Sequence, residues 1–70
     1  MSAHNSPNAA FNATANAAEG VRQVACAGAT QAACISAEIT YYRTCFKAAI
    51  ANNVSPSVFS QALKSLGVQT

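Results

Sequence analysis

The stretch ISAEITYYRTCFKAAI, residues Ile35 to Ile50, places large apolar side chains at Ile35, Ile39, Tyr42, Phe46 and Ile50. Their spacings of 4, 3, 4 and 4 follow one face of an α-helix. No run of alternating β-branched residues and no hairpin dipeptide occurs elsewhere, so the pattern predicts an all-α chain. Traced towards the amino terminus, the same face meets Ala32, Gly28, Val24 or Ala25, and Val21. The large stripe thus becomes a small-residue stripe, and one central helix is expected over about 21–51.

Punctuation on either side sets the remaining elements. Asn52-Asn53 ends the central helix, because Asn tolerates the left-handed conformation of such a stop. Ser55 then reads as an N-cap, Pro56 as the first helical residue, and Val54 as a staple onto Phe59. Gly67 stands where a C′ glycine belongs, with Val68 placed to touch Leu63. A short capped helix over about 56–66 follows, folded back so that Phe59, Leu63 and Leu66 meet Phe46, Tyr42 and Ile39. Upstream, residues 1–6 are a flexible polar lead-in and residues 7–70 form a single helical domain. Ser6-Pro7 opens an alanine-rich helical segment in which Phe11 is the one large apolar residue before Gly20. Gly20 either breaks the chain there or is carried inside a longer helix. The fold class is therefore a small helical hairpin or three-helix arrangement.

Core material is scarce. The chain has 70 residues, of which 51% are nominally hydrophobic, but 17 of those are Ala and three are Cys. Each fully buried large side chain contributes about 1.5–3 kcal/mol against about 1–2 kcal/mol of backbone entropy per ordered residue. A monomer of this size is near balance, and a partner would add burial. Charged residues are 9% of the chain, against about 25% in an ordinary soluble domain. A surface so neutral repels its own kind weakly.

The small residues say where association would occur. Ala25, Ala29, Ala33 and Ala37 repeat at every fourth position, and Gly28, Ala32 and Ser36 repeat on the adjoining face. Rows of this kind let helix axes approach at or below about 8–10 Å. Ala25, Gly28, Ala29, Ala32, Ala33 and Ala37 are the expected helix–helix interface, covered by another subunit or by the folded-back first helix.

Chemistry has little to work with. Glu19 and Glu38 are the only acids, and a straight helix would hold them about 28 Å apart. Cys26, Cys34 and Cys45 have spacings of 8 and 11, which match no zinc signature, and the only His is His4 in the lead-in. The thiols are expected to be small buried hydrophobes in a reducing compartment. No catalytic residue, metal site, cofactor or small-molecule substrate is expected, and the chain is read as a non-enzyme. Residues 1–20 lack a basic start and a continuous apolar block, and the 15 uncharged residues from Gln23 to Ala37 are too few and too weakly apolar to span a membrane. A cytoplasmic location follows.

One segment has a second reading. Ala49, Asn53, Val54-Ser55-Pro56, Phe59 and Leu63 are spaced so that residues 48–63 resemble the helix-turn-helix of bacterial repressors of the Lac family. In that motif a small residue permits a close crossing, a glycine-like residue makes the turn, and the second helix buries apolar residues at fixed offsets. The resemblance implies a DNA-binding transcriptional regulator whose recognition face is Ser57, Ser60, Gln61 and Lys64. In composition, though not in any motif, the chain resembles subunits of protein polymers such as R-body and pilus or needle proteins. The expectation preferred here is a self-associating structural or interaction subunit, a homo-oligomer or filament, with DNA binding as the alternative.

Overall fold

The computed structural model describes residues 7–28 and 30–69. They form three helices, α1 (Pro7–Gly28), α2 (Gln31–Ala51) and α3 (Ser57–Ser65), and no strand occurs among the described residues. The protein is all-α.

The central helix expected over 21–51 is two helices. The chain runs unbroken through Gly20, where an added Cβ would meet nothing; α1 ends instead at Gly28 and α2 begins at Gln31. Thr30 explains the restart. Its backbone is extended (φ −69°, ψ 162°), and its hydroxyl accepts a 3.2 Å hydrogen bond from the Ala33 amide. An N-cap of this kind satisfies one of the amides a helix start leaves free. With so short a connection α1 folds back antiparallel on α2, and a Cys26–Cys34 disulfide ties the tip, its Cα atoms 4.4 Å apart.

The other two helix ends are alike. After α2, Asn53 is left-handed (φ 57°), its amide donates to the Ile50 carbonyl at 3.4 Å, and the Val54 amide donates to the Ala49 carbonyl at 2.8 Å. After α3, Gly67 is left-handed (φ 84°), its amide donates to Lys64 at 3.0 Å, and Val68 donates to Leu63 at 2.9 Å. Both are Schellman stops, each with an apolar residue just beyond the turn. The start of α3 falls one residue later than expected. Pro56 is the N-cap, and Phe59 and Ser60 both donate to its carbonyl at 3.0 Å. The Ser55 hydroxyl lies 3.2 Å from that of Ser57 and caps no amide. Ser6 and His4 lie outside the described residues.

On α1 the half-buried positions Phe11, Ala15, Ala18, Arg22 and Ala25 recur every three or four residues; on α2 the half-buried Cys34, Glu38 and Tyr41 and the buried Cys45 and Ala49 do the same. The covered face of α2 is therefore set to one side of the large stripe. Cys45, Ala49 and Leu63 are the buried residues of the core. Ile39, Tyr42 and Phe46 are only half-buried, and Ile35 and Ile50 are exposed. The reason is geometric: α1 lies along one side of α2 and the shorter α3 against another. The positions between them hold small side chains that pass wholly under the crossing, while the large ones fringe it. Phe11 reaches across to Phe59, ring centres 5.6 Å apart, which ties the start of α1 to α3.

The result is thin. The backbone spans 42 × 25 × 12 Å, an elongated and flattened shape. Its radius of gyration is 13.1 Å, against about 11 Å for a compact domain of this length.

Candidate interaction surface and hairpin tip

The small residues fall at the hairpin tip and along its seam. Ala25 and Ala37 are half-buried, one on each helix; Gly28 closes α1; Ala32 and Ala33 open α2 and are exposed; Ala29 lies outside the described residues. The row is thus split between α1 and α2, and its two halves lie on antiparallel helices of one chain. Of these, Ala25 and Ala37 are the ones covered at the α1–α2 seam, and an added Cβ at Gly28 would meet nothing.

A larger exposed feature lies beside the seam. An open groove of about 700 Å³ runs between α1 and α2, its walls formed chiefly by Ala13, Ala17, Val21, Ala37, Thr40 and Tyr41. Val21 and Val24, on the same side of α1, are 69% and 77% exposed. Tyr41 forms part of this wall and touches Tyr42 edge-on, ring centres 5.1 Å apart. Burial, then the neighbouring Cys45, pushes the Tyr41 phenol up to about 12. The Cys45 thiol is raised as well, mainly by its own desolvation, with the Tyr41 hydrogen bond acting in the opposite sense. These groups are held neutral, in keeping with an apolar wall.

The charged groups divide between the two ends. At the hairpin tip Arg22 donates to both oxygens of Glu19, Nε at 2.6 Å and Nη2 at 2.8 Å, and Gln23 adds a 3.3 Å bond to the same carboxylate. These bonds, the Arg22 one foremost, lower the Glu19 carboxyl below its ordinary value, and Arg22 is raised in return. Glu38 also acts on Arg22 through space, because the hairpin returns α2 alongside α1. The long separation of the two acids expected for a straight helix therefore does not hold. The sulfurs of Cys26 and Cys34 and a carboxylate oxygen of Glu38 lie within 4.8 Å of one another. At the opposite end Arg43 and Lys47 border one groove on Val68 and Gln69, and Lys64 borders another. Three of the four cations therefore surround the carboxy-terminal turn.

Of the residues expected to face DNA, Ser57, Gln61 and Lys64 are exposed and Ser60 is half-buried, its hydroxyl donating to the Ser57 carbonyl at 3.1 Å. Sequence reasoning missed the disulfide pair, Thr30 as a cap, and Val21 with Val24 as an exposed patch. Gly28 followed by Thr30 was the available signal for a stop and restart. Once a turn is placed there, an eight-residue cysteine spacing brings the thiols together. No protein-family model, no curated protein and no solved structure matches the chain.

Proposed function

We propose that this is a non-enzymatic helical protein that works by self-association, a homo-oligomer or filament subunit whose contact surface is the α1–α2 groove and its valine rim. The observation that carries the reading is the exposure of Val21 and Val24 beside an apolar groove in an elongated molecule with a small core. Cys45, Ala49 and Leu63 make a small core, and a partner would add the apolar burial that it lacks. Around the groove the one charged wall residue, Arg22, is paired with Glu19, so no charge pattern there calls for an opposite one, which favours a second copy of the chain. No helix among the described residues is long and apolar enough to cross a membrane. A cytoplasmic location belongs to the same proposal; there thiol buffers hold Cys26 and Cys34 largely reduced, and the closed bond marks the oxidised form.

Sedimentation equilibrium over a wide concentration range tests it. Self-association that Val21→Glu and Val24→Glu abolish supports the groove as the interface; a monomer at high concentration ends the proposal.

The helix-turn-helix reading stands second, favoured by the left-handed Asn53 between a buried Ala49 and a buried Leu63. Arg43, Lys47 and Lys64 supply cations near α3. Against it, α2 has 21 residues, where the first helix of such motifs is short. Duplex binding that falls steeply with salt, and that Lys64→Ala weakens, would favour this reading over self-association alone.

A further inference from the structure

We propose that the reduced chain binds one divalent transition-metal ion, zinc above all, at the hairpin tip through Cys26, Cys34 and Glu38. In the closed form the two sulfurs are bonded to each other and a Glu38 carboxylate oxygen lies within 4.8 Å of both; reduction frees the sulfurs to part to the edge of a tetrahedral zinc site, about 3.6–3.8 Å. Each ligand is placed by a different part of the fold. Cys34 and Glu38 are one turn apart on α2 and share a face; the α1–α2 hairpin brings Cys26 to them from the end of α1. All three are half-buried, so an ion can enter and still be partly shielded.

Electrostatics selects a cation. The nearest positive group, Arg22, is committed to Glu19 by two hydrogen bonds, so its charge is largely answered. Glu38 makes no ion pair with any described residue. Two thiolates beside that carboxylate repel one another, and a divalent ion removes the repulsion. Two sulfurs and one oxygen form a set that a borderline-soft ion accepts and magnesium or calcium does not. Arg22 Nη1, 3.8 Å from Cys26 Sγ, is placed to donate to the bound thiolate from outside the ligand set. Water completes four-coordination.

The state of the sulfurs controls the site. Two molecules of a low-molecular-weight thiol reduce the Cys26–Cys34 bond: two electrons and two protons pass to the protein sulfurs, and the external thiols leave as one disulfide. Metal binding then releases those two protons as the thiols become thiolates. Oxidation reverses the sequence and expels the ion. Closed bond and bound metal are alternative clamps on the same hairpin tip.

The test is a titration of the full chain with Co²⁺, held reduced by a phosphine, followed by displacement with Zn²⁺. Expected are a thiolate-to-cobalt charge-transfer band saturating at one ion per chain, its loss on adding zinc, and no band from the oxidised chain. Cys34→Ser should abolish the band and Cys45→Ser should keep it. Glu38→Gln should weaken binding at least about tenfold; because Glu38 has no side-chain ion pair, this variant stays informative if Cys34→Ser does not fold. Absence of the band in the reduced chain, a band that needs Cys45, or affinity unchanged in Glu38→Gln would each overturn the site.

Discussion

Asn53 shows how much can turn on one backbone angle. At φ 57° a β-carbon is costly, and Asn is one of the few residues besides Gly that enters this region readily. Asn53→Ala should destabilise the protein by about 1 kcal/mol, whereas Asn53→Gly should leave stability level or slightly higher; chemical denaturation of the pair checks both. Leu63, buried where α3 crosses α2, should cost about 2–5 kcal/mol on truncation to Ala. Tyr41 adds a pH dependence. Its folded pKa, about 12, lies above the ordinary value of 10.0, so the neutral phenol is the form the fold favours. Its contribution is complete below pH 10 and is lost as the pH rises towards 12. Thermal melts across that window should fall, and Tyr41→Phe should flatten the fall. The Asn53 and Gly67 stops were legible from sequence because each rests on a local backbone preference. Thr30 was overlooked because the alanines around it propagate a helix well and mask a stop made by a single hydroxyl.

At the scale of the element, α1 is the helix with least to hold it. Its covered face is mostly alanine, and Phe11 is its one large contact with α3. The Cys26–Cys34 bond closes a ring of nine residues, for which the loss of unfolded-state entropy is about 2.5 kcal/mol. Reduction without added metal should lower the denaturation midpoint by a corresponding amount. Far-ultraviolet circular dichroism should report loss of α1 before α2. The apolar stripe from Ile35 to Ile50 predicted a helix correctly and its buried face imperfectly. Periodicity locates a face to within about one residue's rotation; here two neighbours on different sides of α2 drew the covered positions onto Cys45 and Ala49. Pairing of the cysteines was hidden for a related reason, since a continuous helix keeps residues 26 and 34 more than two turns apart.

For the whole molecule, three helices around a small core leave Val21, Val24, Ile35, Ile50 and Val58 exposed. The groove face is the more apolar along α1, and the face bearing Ile35 and Ile50 is covered only where α3 reaches. If the groove is the contact, Val21→Glu should lower the association constant at least tenfold without changing helical content, because Val21 is 69% exposed and adds little to the fold of one chain. Ala33→Leu, at an exposed position of α2, should leave both fold and association unchanged. A sequence reveals such a surface poorly: valine at Val21 and Val24 looks the same in a list whether it is covered or open. Only the placement of α2, which covers a different face of α1, decides it.

The thinness of the fold also sets how its backbone amides meet solvent. Cys45, Ala49 and Leu63 are gathered where α2 and α3 cross, so deuterium uptake should be slowest in the carboxy-terminal half of α2 and in α3. Towards the hairpin tip no comparable plug exists, and amides there should exchange through brief local openings well below the cost of global unfolding. A chain built this way has two tempos: a slow crossing that keeps the topology, and a quick tip whose pace is set by two sulfur atoms.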